Sequence, residues 1–191
     1  MGGRMKQSLA QTDRHPWLRV IVGRCGSGKS TIAKQLMADW RASGGGPIFA
    51  VDPVATEPPG ELHVASEADV WSYEMVEELP DNTALVVVDE ADLYCAQADA
   101  YRRPLPPLHA LIRRRRHKGV SLLLLSQRGC LISRSAWSLA DEIIILSTTD
   151  ARDLKEIEKL PGVTKEDVAR VGAMSEPGIA LIWSPREVTR N

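Results

Sequence analysis

Gly23-Arg24-Cys25-Gly26-Ser27-Gly28-Lys29-Ser30 sets a lysine and a hydroxyl behind a glycine-rich run, in the spacing GxxxxGK(S/T). Glycines let successive backbone N–H groups turn into one concavity. A helix opening at the end of the run would aim its partial positive charge into the same space. Such a concavity suits the oxygens of a polyphosphate. In this spacing Lys29 reaches the β- and γ-phosphates of ATP, and the Ser30 hydroxyl binds Mg²⁺. The expected nucleotide contacts are Gly23, Cys25, Gly26, Ser27, Gly28, Lys29, Ser30 and Thr31, with Cys25 a small filler of the loop.

Two further sites carry the polar groups that hydrolysis needs. Leu85-Val86-Val87-Val88-Asp89-Glu90 is an apolar run ending in two acids, a Walker B pattern. Asp89 would hold the Mg²⁺ shell and Glu90 would polarise an attacking water. The apolar run Val120–Leu125 leads into Ser126-Gln127-Arg128, where Gln127 is the candidate for sensing the γ-phosphate or orienting water. A P-loop kinase would need an acceptor pocket and a mobile lid instead. Glu90 and Gln127 speak against that rival.

Arg113-Arg114-Arg115-Arg116-His117-Lys118 is the main basic block. A helix C-terminus favours cations, but four arginines exceed what a cap requires. One could serve as a finger at a neighbouring subunit's γ-phosphate, and others could meet nucleic-acid phosphates. With a net charge of −1 and a pI near 6.4, nucleic acid would be met by a local patch rather than a basic coat. Tyr101, Arg102, Arg103, Arg128 and Arg134 are further candidates for DNA contacts. The four histidines form no spaced cluster, and the three cysteines form no CxxC pair, so neither suggests a metal centre.

The elements that must carry these groups read as α/β. Leu18–Val22, Ile48–Val51, Leu85–Val88, Val120–Leu125, Ile143–Leu146 and Ile179–Trp183 are continuous apolar runs, the pattern of strands buried on both faces. Helical patterns lie between them: Thr31–Ala42, Ser66 to about Leu79, Pro104–Lys118, Ala151–Leu160 and Thr164–Val171. The expected fold is a P-loop NTPase of the RecA-like (ASCE) kind: a mainly parallel sheet flanked by helices, with Ile179–Trp183 an antiparallel edge. The expected organisation is a loose tail over 1–16 and one ATPase domain over 17–191. No apolar run approaches the ~20 residues that span a bilayer, and no signal peptide is evident. A cytoplasmic protein is expected.

These residues together resemble the FtsK–HerA superfamily of ring-shaped DNA-pumping ATPases. The resemblance runs through the phosphate loop, Asp52-Pro53, Asp89-Glu90 and Arg116-His117-Lys118-Gly119-Val120. It continues into Leu125-Ser126-Gln127-Arg128 and Leu139-Ala140-Asp141-Glu142-Ile143-Ile144-Ile145. It implies that Arg116 is the finger arginine, with Arg113 to Arg115 as adjacent alternatives. It also implies assembly into a hexamer-like ring and double-stranded DNA as the moved partner. Gly129 is a departure, because family members often have proline there. The bare ATPase pattern looks like the genome-packaging ATPases of membrane-containing icosahedral double-stranded DNA viruses, which implies capsid or portal proteins as partners. A Zot-like assembly ATPase acting on a protein is the alternative.

Overall fold

The structure is a computed structural model describing residues 15–51, 62–64, 85–101 and 103–184. Its centre is a sheet of seven strands: β1 (Leu18–Val22), β2 (Ile48–Val51), β3 (Leu62–Val64), β4 (Leu85–Val88), β5 (Ser121–Ser126), β6 (Glu142–Ile145) and β7 (Leu181–Trp183). Their spatial order is β3-β2-β4-β5-β1-β6-β7. The first six run parallel, and β7 pairs antiparallel with β6 at the edge. β5 therefore lies between the strand that feeds the phosphate loop and the strand that ends in the two acids.

The continuous apolar runs are explained by burial of both faces. In β5, Leu122 and Leu124 enter one hydrophobic cluster, while Leu123 and Leu125 enter the other. β1 divides the same way, with Val20 and Val22 on one face and Ile21 on the other. Helix α1 (Lys29–Ala42) covers the Ile21 face with Ala33, Leu36 and Met37. Helix α2 (Pro107–Lys118) covers the opposite face with Leu108, Leu111 and Ile112. That face is also covered through Trp137 of α3 (Arg134–Leu139), Ile157 of α4 (Ala151–Glu158) and Val171 of α5 (Lys165–Ala173).

Boundaries differ from expectation where proline or polar strand residues intervene. α2 begins at Pro107, three residues later than expected, because Pro104 and Pro106 bias their predecessors to extended backbone. β5 and β6 each start or end one residue off the apolar run because Ser126 and Glu142 take part in the ladder. Glu142 pairs with Arg19 of β1 in a buried salt bridge of 2.9 Å, and the Arg19 guanidinium lies 4.4 Å from the Trp17 ring centre. Thr164 and Asp167 form a capping box at the start of α5. The Ser66 helix, Asp52-Pro53, Arg102 and most of the tail lie outside the described residues. Among the described residues, no helix is long and apolar enough to cross a membrane. The three cysteines are free, and burial pushes the Cys95 thiol up to about 12.

Candidate active site

The glycine-rich loop hangs from the C-terminal ends of three strands. Leaving β1, Gly23 N–H donates to the Ser126 carbonyl of β5 (3.2 Å), and Arg24 N–H donates to the Ser147 carbonyl just past β6 (2.9 Å). At Gly23 a Cβ would stand 2.7 Å from Leu146 Cβ and 2.8 Å from Ser27 Oγ, so a larger residue would force the loop open. Gly28 has a φ of +99°, a backbone that L side chains rarely adopt. It caps α1 without a side chain, and the first turn carries no acid. The helix N-terminus thus keeps its donors for a ligand.

Two unsatisfied features in the loop call for an anion. Lys29 is 8% exposed, and its ammonium donates to the carbonyls of Gly23 (2.9 Å) and Arg24 (3.1 Å). No carboxylate pairs with it among the described residues, and a buried cation without a countercharge is costly. The Ser27 Oγ is buried without a hydrogen-bond partner among the described residues. Ser30 and Thr31 stand exposed on the first turn of α1, and Cys25 is exposed at the tip. The Ser30 hydroxyl and Asp89 carboxylate are hard oxygen donors of the kind Mg²⁺ takes.

Asp89 and Glu90 end β4. The Asp89 N–H donates to the Val51 carbonyl (2.8 Å), extending the β2–β4 ladder, and its Oδ1 accepts from the Glu90 N–H (2.9 Å). Glu90 has a φ of +48°, the sole non-glycine residue in left-handed backbone among those described. Such backbone costs of order 1–3 kcal/mol and persists where surroundings enforce it. From the tip of β5, the Gln127 amide Nε2 donates to Glu90 Oε1. The structure thus gathers Lys29, Ser30, Asp89, Glu90 and Gln127 at one end of the sheet.

The turn after Gln127 is fastened at each residue. The Arg128 N–H donates to Ser126 Oγ (3.0 Å), and Ser126 Oγ donates to Asp92 (2.5 Å). The Arg128 guanidinium pairs with Asp150 (2.8 Å) and the buried Asp153 (3.4 Å). Asp153 also accepts the Cys130 N–H (2.9 Å). Burial works against the Arg128 charge, but Asp153 and Asp150 outweigh it and raise its pKa. The backbone N–H of Arg152 holds Asp150 below the usual carboxylate range, with Arg128 adding to the effect. Cys130, Asp150 and Asp153 lie close enough to share a cation, but Arg128 already supplies that charge. Arg128, expected as a DNA contact, is thus paired with two acids while its side chain stays 34% exposed. Gly129, the departure from proline, has its reason in Trp137: a Cβ there would stand 2.8 Å from the ring, whose Nε1 donates to the Gly129 carbonyl (3.0 Å).

The basic block lies at the other end of the sheet. Asp141 Oδ2 accepts the N–H of Leu18, where β1 begins (2.9 Å), and pairs with Arg115 (3.1 Å); its Oδ1 pairs with Arg116 (3.2 Å). A five-residue strand spans roughly 16 Å, so Arg116 cannot reach the phosphate loop of its own chain. The Arg116 side chain is 67% exposed, whereas that of Arg115 is 3% exposed and also donates to the Ile112 and Leu139 carbonyls. Burial removes Arg115 from the candidate fingers; Arg113, Arg114 and Arg116 face outward. Signals missed in the sequence were the acids of α4 and the Pro177–Gly178 turn, which lies against the phosphate loop.

No protein-family model matches this sequence, and no curated protein matches it. Solved structures do match in fold. The genome packaging NTPase B204 from Sulfolobus turreted icosahedral virus 2, in complex with sulfate, aligns with a TM-score of 0.69 at 21% identity. That alignment covers 90% of this chain and 92% of that one. The same protein in complex with ATP-gammaS aligns at 0.68 and 22% identity, over 90% and 93%. The cytoplasmic domain of the Thermomonospora curvata Type VII secretion ATPase EccC aligns at 0.62 and 16% identity, over 90% of this chain and 22% of that one. The chain has the P-loop NTPase fold, as the sequence led us to expect. Among solved structures it is similar to a viral genome-packaging ATPase, the class its resemblance to FtsK–HerA enzymes singled out.

Proposed function

We propose that this protein is a Mg²⁺-dependent ATPase that drives double-stranded DNA, as a genome-packaging motor does, into a capsid. The observation that carries the ATPase reading is the Gln127–Glu90 hydrogen bond beside a phosphate loop whose lysine lacks a countercharge among the described residues. The DNA reading draws its support from the fold shared with the packaging NTPase B204.

In this reading the loop N–H groups and Lys29 hold the β- and γ-phosphates. Ser30 and Asp89 would hold Mg²⁺, which when bound offsets charge on the phosphate oxygens. Glu90 accepts a proton from water while Gln127 orients it. Water oxygen bonds to the γ-phosphorus, the bond to the β–γ bridging oxygen breaks, and ADP leaves with that electron pair. Arg116, outward-facing and remote from its own loop, acts on the γ-phosphate of a neighbouring subunit in a ring, hexamer-like in size. Capsid or portal proteins would anchor the ring.

Phosphate release from ATP and Mg²⁺, with and without double-stranded DNA, tests the reading. DNA stimulation lost in Lys29→Ala is expected. Hydrolysis indifferent to DNA would favour an assembly ATPase acting on a protein partner. ADP formation that needs an added acceptor would favour a kinase.

A further inference from the structure

The strand order gives the phosphate loop two unlike flanks. On one flank, β5 and β4 end in Gln127 and in Asp89-Glu90. On the other, β6 and β7 lie beside β1, and residues 174–180 join α5 to β7 across that side. This segment is built against the loop. Gly178 N–H donates to the Ser27 carbonyl (3.0 Å). A Cβ on Gly28 would lie 3.0 Å from Gly178 N and 3.8 Å from the Pro177 carbonyl carbon. At its start the Met174 carbonyl accepts from Ser147 Oγ (2.7 Å), and the Ser147 carbonyl accepts from Arg24 N–H of the loop (2.9 Å). Gly178, at φ +83°, makes the turn. Although held this closely, Ser175, Glu176 and Pro177 are exposed, and Ile179 is 44% exposed.

We propose that Pro177-Gly178-Ile179 is the nucleoside subsite, the wall on which the ribose and base of the nucleotide lie. The inference rests on the nucleotide reading above. A triphosphate whose γ end lies towards Glu90 and Gln127 leaves its nucleoside end towards the β6–β7 flank, and there this segment meets the loop. Proline and isoleucine offer an apolar surface that a planar base shields from water. Gly178, without a side chain, lets the backbone come within contact of the phosphate loop.

Calorimetric titration of the full chain with Mg²⁺–ATP and with Mg²⁺–tripolyphosphate separates the two ideas, because tripolyphosphate has no nucleoside. Ile179→Ala is the variant, with unchanged melting temperature as the folding control; Ile179→Asp, which sets a carboxylate in the subsite, is the second. The expected result is ATP affinity about three- to tenfold weaker in Ile179→Ala and weaker still in Ile179→Asp. Tripolyphosphate affinity is expected to stay unchanged in both, and Lys29→Ala should weaken both ligands. ATP affinity equal to wild type in both Ile179 variants, or equal losses for the two ligands, overturns the subsite alone. Wild-type protein that binds neither ligand overturns the nucleotide reading and the subsite with it.

Discussion

Gln127 donates its side-chain amide to the carboxylate of Glu90 across a separation of 37 residues. The two groups end neighbouring strands, β5 and β4, whose parallel register brings Val88 level with Leu124. Glu90 is turned towards this contact by a left-handed backbone that a non-glycine residue rarely adopts. In the proposed reaction this pair would hold the attacking water beside the γ-phosphate.

Glu90→Gln removes the proton acceptor and keeps the shape. Phosphate release should fall by ~10²–10⁴-fold, with ATP affinity close to wild type. Gln127→Ala should lower kcat with little change in KM. Steady-state phosphate release against ATP concentration separates the two parameters; a rise in KM alone would mean that Gln127 binds substrate and takes no part in orienting water.

Arg115 and Arg116 share Asp141, yet their burial predicts opposite phenotypes. Arg115→Ala removes a buried guanidinium from the partly buried Asp141 carboxylate and from two backbone carbonyls, and should cost about 3 kcal/mol of stability. Arg116→Ala lies at the surface and should cost under ~1 kcal/mol. Turnover should nonetheless fall about 10³-fold in Arg116→Ala if it is a finger. Mixing that variant into wild-type protein should depress activity out of proportion to its share. Urea unfolding and titrated mixing measure the two effects, and strictly proportional activity would exclude action on a neighbour.

Gly129→Ala would press a methyl group to 2.8 Å from the Trp137 ring. Overpacking of this kind costs ~1–3 kcal/mol. Gly129→Pro, the residue expected from the superfamily pattern, should be worse still in this chain. Thermal melts should show Gly129→Ala partly recovered when Trp137 is shortened to Leu. Absence of any recovery would place the strain elsewhere.

His109 is fully buried. Burial lowers its pKa from the ordinary 6.5, opposed by the Ala96 backbone and Asp99, while the Arg113 charge adds to the fall. The unfolded chain therefore takes up a proton near pH 6.5 that the folded chain still refuses. Stability contributed by the neutral imidazole is full above that value and declines as pH drops towards the folded pKa. The slope for one proton cannot exceed about 1.4 kcal/mol per pH unit. Urea midpoints measured from pH 7.5 down to 5 should fall more steeply for wild type than for His109→Leu; parallel curves would remove His109 as a source.

The phosphate loop, the two acids after Leu85–Val88 and the glutamine after the next strand were legible because each is a local pattern. Glycine spacing and apolar runs act within a few residues, and two-sided burial writes itself as unbroken Val, Ile and Leu. Tertiary structure alone decided the rest. Four consecutive arginines look alike in sequence, but the 100° turn of each helical residue buries Arg115 and leaves Arg116 outward. Asp150, which caps α4, and Asp153 within it claim Arg128 from 22 or more residues away, and Trp137 accounts for Gly129. Gly178 reaches Ser27 only because β7 returns antiparallel beside β6. Local spacing therefore determined which groups could do the chemistry. Long-range packing, which depends on how strands are ordered in the sheet, decided which charges are free to do it and what stands on each side of the loop.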